Sequence, residues 1–121
     1  MRRGDSAYAG VMMAVIVTLE VFSGRPNPEW SLAPAQSAEF ERRLAALGVG
    51  VAGQDEPLGY RGFSVRGRAA PVRVFRGQVM NGRRALADPG RGLERWLLDS
   101  GRGSIDPGLA AYVDSEIASG P

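Results

Sequence analysis

The sequence predicts a small α+β protein with the element order β-α-β-β-α-α, in which a three-stranded, mainly antiparallel sheet packs against the helices. Three observations support this class. A β-branched apolar run lies near the N-terminus, two strand-like runs follow at hairpin distance, and the dipeptide Asp-Pro twice precedes an amphipathic segment. Because 121 residues suffice for one core, we expect residues 13–121 to form a single domain and residues 1–12 to be a disordered lead.

The first strand is expected over residues 14–22, a nearly continuous β-branched run that ends at Ser23 and Gly24. Its alternation assigns one face to the core and leaves the other partly solvated or available for binding. The core set is Val15, Val17, Leu19 and Val21, and the opposite set is Ile16, Thr18, Glu20 and Phe22.

A helix is expected next, from Pro34 to Leu47. Proline suits the first helical position, and Gly48 suits the left-handed residue beyond the last turn. Two strands follow over residues 59–66 and 72–80. Their connector has about the length of a hairpin loop and contains glycine and proline, which favours an antiparallel pair.

The C-terminal part predicts two amphipathic helices that form a helical hairpin. Asp88 precedes Pro89 and Asp106 precedes Pro107, so each pair offers an N-cap followed by a first-turn proline. We expect the first of these helices to end at Gly101 and the second to end close to the C-terminus.

The composition excludes several kinds of site. The chain has no cysteine, histidine or lysine, so arginine supplies all 15 basic residues against 13 acidic ones, for a net charge of +2. Disulfides, cysteine or histidine metal sites and Ser-His-Asp triads are therefore excluded. No Asp-rich loop has the spacing of metal ligands. We expect no cofactor and no bound metal.

The N-terminal apolar run, residues 7–19, follows Arg2 and Arg3 and has the outline of a signal peptide. It lacks a clear cleavage site and is too short to span a bilayer. We therefore expect a cytoplasmic protein that does not bind membranes.

The segment from Ser23 to Pro28 is the strongest candidate for a binding site. Its two prolines restrict the backbone around Arg25 and Asn27, which fixes two hydrogen-bonding side chains. A guanidinium grips carboxylates or phosphates, and an amide both donates and accepts. We expect a non-catalytic binding or accessory domain that engages an anionic small molecule or a peptide or protein partner. The expected ligand-binding residues are Arg25, Asn27, Trp30 and Glu20.

The same segment also has a purely structural interpretation, which the sequence leaves open. Asn27 would then cap a turn, and Arg25 would pair with Glu29 or with another acid of the domain. Trp30 would fill the space between the sheet and the first helix.

Nucleic-acid binding is the alternative function. Seven arginines and no acidic residue lie between Pro57 and Ala87, interleaved with aromatic residues, as in proteins that stack and hold single strands. The segment lacks the glycine-aromatic signature of an RNA-recognition strand. The expected contacts in this alternative are Arg61, Arg66, Arg73 and Arg76.

A carboxylate-dependent enzyme is a weaker alternative. In such an enzyme Glu20 would act as acid or base together with Glu29 or Asp88. Nothing in their spacing marks them for catalysis, and Asp88 is better placed as a helix cap. We therefore expect no catalytic residue.

Overall fold

The computed structural model describes residues 14–53 and 57–119, so the expected lead over residues 1–12 lies outside the described residues. The described part contains three α-helices and six strands, which confirms the α+β class. The elements are β1 (Ile16–Leu19), β2 (Glu29–Ser31), α1 (Pro34–Ala45), β3 (Phe63–Arg66), β4 (Val72–Phe75), β5 (Gln78–Asn81), β6 (Arg84–Ala87), α2 (Gly92–Ser100) and α3 (Pro107–Ser119). Short 3-10 turns over Pro89–Arg91 and Arg102–Ser104 precede α2 and α3.

The strands form one antiparallel sheet in the order β2-β1-β3-β4-β5-β6. The expected three-stranded sheet is therefore wrong in strand number, although the expected antiparallel pairing of β3 with β4 is confirmed. The expected strand over residues 72–80 is two strands, because Arg76 and Gly77 have φ values of 52° and 80° and make a tight turn. A second two-residue turn starts at Gly82, with φ of 62°, and adds β6.

The first strand also differs from the expectation. β1 ends at Leu19, three residues before the predicted end. The chain then turns, and Glu29–Ser31 returns as β2 to pair with β1. After the strand, the backbone N–H groups of Val21 and Phe22 donate to the side-chain oxygen of Asn27 rather than to a neighbouring strand.

The hydrophobic core lies between the helices and one face of the sheet. Of the expected core set of the first strand, Val17, Leu19 and Val21 are buried and Val15 is partly buried against the core. On the opposite face Thr18 is also buried, at 8% exposed. The helix N-termini follow the expected caps: Asp88 accepts from two backbone N–H groups of α2, and Asp106 accepts from two at the start of α3. α2 nevertheless begins three residues later than Pro89, after a 3-10 turn. No helix in the described ranges has the length and hydropathy needed to cross a membrane.

Arg68, in the β3–β4 connector, ties α1 to the sheet. Its Nε and Nη2 donate to the two carboxylate oxygens of Glu41 at 2.7 and 2.8 Å. Its Nη1 donates to the carbonyl of Ala70 and to Oδ1 of Asn81. The side chain of Arg68 is 9% exposed and that of Glu41 is 48% exposed. The pair therefore links a nearly buried cation to a half-exposed anion.

The Glu41–Arg68 pair should contribute to stability in a pH-dependent way. Hydrogen bonds from Arg68 lower the pKa of Glu41 in the folded protein from its ordinary value of 4.5. A lowered folded-state pKa stabilises the fold above the unfolded pKa, and this stability is lost as the pH falls through the folded pKa. Because the carboxylate is half-exposed, we expect Glu41→Gln to lower the free energy of unfolding by only about 0.5–1 kcal/mol at neutral pH.

Urea titrations of both proteins at neutral pH and at stepwise lower pH will test this expectation. The two stabilities should begin to converge near pH 4.5, the unfolded-state value, and should meet below the lowered folded-state pKa of Glu41. A difference that stays constant down to acid pH would show that the glutamine acts through packing rather than through the lost charge.

Candidate ligand-binding face

The face of the sheet opposite the helices carries a connected set of polar side chains. Register places Thr18 beside both Glu29 and Ser64, and Ser64 beside Arg73, so all four share this face. Glu20 and Arg66 follow two residues further along their strands, on the same side. We call this set, with Arg61, the polar face; its members are Thr18, Glu20, Glu29, Arg61, Ser64, Arg66 and Arg73.

Glu20 lies at the centre of the polar face. Its Oε1 accepts from Nδ2 of Asn27 at 3.1 Å, and its Oε2 accepts from the hydroxyl of Ser64 at 2.8 Å. The guanidinium groups of Arg61 and Arg73 approach its two oxygens at 4.0 and 3.9 Å. The side chain of Glu20 is 22% exposed. The carboxylate is therefore fully engaged with neighbours on the sheet and orders the groups around it.

Asn27 holds the loop after β1 in place. Its Oδ1 accepts from the N–H groups of Val21 at 3.0 Å and Phe22 at 2.7 Å, while its Nδ2 donates to Glu20. Arg61 reinforces the same loop, because its Nη2 donates to the carbonyl of Phe22 at 3.1 Å. Asn27 thus has the turn-capping contacts that the structural interpretation expects, and one of its amide hydrogens has no acceptor among the residues that the structure describes.

Arg25 has a different environment from Asn27. It is exposed, and its guanidinium lies 3.8 Å from the centroid of the Phe22 ring. It makes no hydrogen bond or ion pair with any residue in the described ranges, so the expected pairing with Glu29 is wrong. A guanidinium over an aromatic face keeps its five N–H donors at its edge. Arg25 is therefore the side chain of this loop that is free to bind a ligand.

Glu29 is instead paired with Arg66 at the β2 edge of the polar face. Nη1 and Nη2 of Arg66 donate to the two carboxylate oxygens at 3.2 and 3.3 Å, and Nη1 also donates to the hydroxyl of Thr18. Hydrogen bonds from Arg66 lower the pKa of Glu29 below its ordinary value. Both side chains remain about half-exposed. This pair is therefore accessible to a ligand that could exchange with the carboxylate.

Two of the expected binding residues lie elsewhere. Trp30 is 7% exposed on the core face, where its indole N–H donates to the hydroxyl of Ser100 at 2.9 Å. Its expected role as a ligand contact does not fit this position, whereas the expected role as a core residue does. Arg76 lies in the β4–β5 turn with its guanidinium 5.0 Å from the ring centroid of Phe75. The structure therefore does not bring these two residues to the polar face.

A second polar cluster is buried under α2, and the sequence did not reveal it. Arg91 and Glu94 are 4% and 0% exposed and form a bidentate salt bridge, with N···O distances of 3.0 and 2.9 Å. The hydroxyl of Tyr60 donates to Glu94, and so does the backbone N–H of Arg76. Burial raises the pKa of Tyr60 well above its ordinary value, and the charge of Glu94 raises it further. Tyr60 is therefore a neutral donor in this cluster.

One sequence signal could have indicated this cluster. Glu94 falls between Leu93, Leu97 and Leu98 on the apolar stripe of α2, where a carboxylate is expected only with a buried partner. Arg91 is three residues earlier, close enough to reach it.

Each acid expected for an enzyme is hydrogen-bonded to other residues. Glu20 is bound by Asn27 and Ser64, and Glu29 by Thr18 and Arg66. Asp88 caps α2 through the N–H groups of Leu93 and Glu94. Burial raises the pKa of Asp88, and those two N–H groups oppose the rise. Within the part of the chain that the structure describes, no group of three acidic, cysteine or histidine side chains is placed to hold a metal ion.

The fold and the site together define a small α+β protein whose antiparallel sheet packs helices on one face and carries an arginine-rich polar network on the other. No family model, curated protein or solved structure matches this chain. The function is therefore inferred from the chemistry of the site.

Proposed function

We propose that this protein is a non-catalytic binding domain that engages an anionic, peptide-like ligand on the polar face, with Arg25 as the principal contact. The observation that carries this proposal is the state of Arg25. Arg25 is exposed, its guanidinium lies over the ring of Phe22, and it has no hydrogen-bonded partner in the described ranges. An arginine held in this way loses less side-chain conformational entropy when it binds a carboxylate.

The surroundings of Arg25 support an ordered site. Asn27 and Arg61 fix the loop through backbone hydrogen bonds, so the ring of Phe22 is presented on a rigid turn. The loop thus combines one free cation with a backbone that does not need to reorganise on binding.

The charge of the region favours an anion. Four arginines, counting Arg25 with those of the polar face, oppose two glutamates. The ion pair between Arg66 and Glu29 is about half-exposed, so an incoming carboxylate can compete with Glu29 for the guanidinium of Arg66. The ligand chemistry that fits is an extended chain with carboxylates, which would contact Arg25 and Arg66 together.

The aromatic residues weigh against nucleic acid as the preferred ligand. Tyr60 and Phe63 are 2% and 0% exposed on the core side, so they offer no stacking platform to bases. Of the arginines expected for nucleic-acid binding, Arg61, Arg66 and Arg73 belong to the polar face and Arg76 does not. Oligonucleotide binding is therefore included as an arm of the test rather than as the proposal.

A fluorescence anisotropy titration with a labelled glutamate-rich peptide tests the proposal. We expect Arg25→Ala to weaken binding about tenfold, because a hydrogen bond to a charged group is lost. Arg25→Lys should restore only part of the affinity, since it keeps the charge but not the guanidinium fork.

Arg42→Ala is the matched control, because Arg42 is an exposed arginine on α1, on the other side of the sheet. Equal weakening by Arg25→Ala and Arg42→Ala would mean that binding follows net charge and would overturn the proposal. Tighter, strongly salt-dependent binding of a labelled oligothymidylate, lost on Arg66→Ala and Arg73→Ala but not on Arg25→Ala, would establish the nucleic-acid function instead.

A further inference from the structure

A cavity of about 210 Å³ lies between the C-terminal half of α1 and the β5–β6 hairpin. It is on the helix side of the sheet, away from the polar face. Leu44, Leu47 and Leu86 form its smaller apolar part, in which Leu44 and Leu86 expose only 4% and 6% of their surface. Its polar part includes Asn81 and the exposed Arg84, and the cavity is half-open to solvent. It therefore suits a small molecule rather than a peptide.

The charged pair in the cavity wall is already satisfied. The carboxylate of Glu41 accepts two hydrogen bonds from Arg68, whose remaining nitrogen donates to Ala70 and Asn81. Because the Arg68 guanidinium is held on three sides, it cannot turn toward a ligand. Glu41 is neutralised by the same contacts and repels an incoming anion little.

The uncommitted polar groups of the cavity are all donors. Oδ1 of Asn81 accepts from Arg68, which fixes the amide and leaves both Nδ2 hydrogens without an acceptor in the described ranges. The guanidinium of Arg84 likewise has no hydrogen bond or ion pair with the described residues. One unneutralised cation and one amide donor therefore line the cavity beside an apolar wall.

We propose that this cavity is a binding site for a short aliphatic monocarboxylate. Arg84 holds the carboxylate through a paired hydrogen bond, and Nδ2 of Asn81 donates to one of its oxygens. The hydrocarbon part packs against Leu44, Leu47 and Leu86. The single carboxylate matches the unpaired guanidinium of Arg84, and the small apolar area that the leucines leave exposed suits a short hydrocarbon body.

Amide NMR spectra recorded during titration with isovalerate test this site on the full chain. We expect saturable shifts at Asn81, Arg84 and the last turn of α1. Arg84→Gln should weaken binding tenfold or more, because the charge-assisted hydrogen bonds are lost. Arg83→Gln is the matched control: it removes the same charge from the adjacent residue, which does not line the cavity. It should leave the affinity within about twofold.

Ligand size gives the second test. Isovalerate should bind more tightly than acetate, because its branched chain contacts the leucine wall. Octanoate should bind little more tightly than isovalerate, because its additional methylenes extend from the half-open cavity into solvent. Absence of saturable shifts in the unmodified protein, equal weakening by Arg83→Gln and Arg84→Gln, or equal binding of acetate and isovalerate would each overturn the proposal. Because Arg25→Ala should leave isovalerate binding unchanged, failure here is separable from failure of the peptide-binding proposal.

Discussion

Arg91→Ala should lower the free energy of unfolding by about 3–5 kcal/mol, because it leaves the buried carboxylate of Glu94 without its counter-ion. Glu94 is 0% exposed and accepts hydrogen bonds from both nitrogens of the Arg91 fork. Tyr60 and the backbone N–H of Arg76 also donate to it, but neither carries a charge there. Urea unfolding followed by circular dichroism measures the loss.

Arg95→Ala is the control for this prediction. Arg95 is on the same helix and pairs with Asp114, but its side chain is 43% exposed, so its loss should cost less than about 1 kcal/mol. If Arg91→Ala costs no more than Arg95→Ala, the buried pair does not stabilise the fold as the geometry indicates.

A double-mutant cycle separates the ion pair from other effects. Glu94→Gln alone leaves the buried charge of Arg91 unpaired, so it should also be costly. The combined variant should lose less than the sum of the two single variants, because neither charge remains. Additive losses would mean that packing, and not the pairing of charges, explains the single variants.

The buried cluster also explains how the hairpin and the helices are joined. Arg76 has a left-handed φ of 52°, which a residue with a side chain adopts only with support. Glu94 supplies that support by accepting the N–H of Arg76 at 2.9 Å. On its other side, Nη1 of Arg91 donates to the carbonyl of Glu116 in α3. A single ion pair therefore connects the β4–β5 turn, α2 and α3.

The helices were predictable because their signals are local. Pro34 begins α1, and Asp106 caps the first turn of α3. Asp88 caps α2 from five and six residues away, so the start of α2 was less predictable. The strands were less predictable because their boundaries depend on partners. The Arg76-Gly77 turn lacks the Asn or Asp that usually marks a tight hairpin, and β2 is only three residues long.

The polar face was predictable in part. Alternation in the first strand correctly placed Glu20 opposite the core. The hairpin arginines were expected only as interleaved residues, and it is the strand register that brings Arg66 and Arg73 to the same side as Glu20. The contacts between these residues could not be predicted, because they join positions distant in sequence: Ser64 reaches Glu20 across 44 residues, and Arg61 reaches Phe22 across 39. The hydrogen bond of the Trp30 indole has the same origin, since its partner Ser100 is 70 residues away.

Gly101→Ala should lower the free energy of unfolding by about 3 kcal/mol, at the upper end of the range for overpacking. An added Cβ at this position would lie 2.2 to 2.5 Å from three atoms of the Trp30 indole ring. The ring cannot move away without breaking its hydrogen bond to Ser100 and leaving the core. Urea unfolding again measures the loss.

Gly103→Ala is the matched control, because an added Cβ there has no neighbour within 4 Å. Its effect should be close to zero or slightly stabilising, since alanine reduces the entropy of the unfolded chain. The clash itself can be tested by repeating Gly101→Ala in a Trp30→Phe background, where the smaller ring should make the substitution less costly. An equal cost in both backgrounds would show that Trp30 does not limit this position, and the structural role of its ring under Gly101 would be wrong.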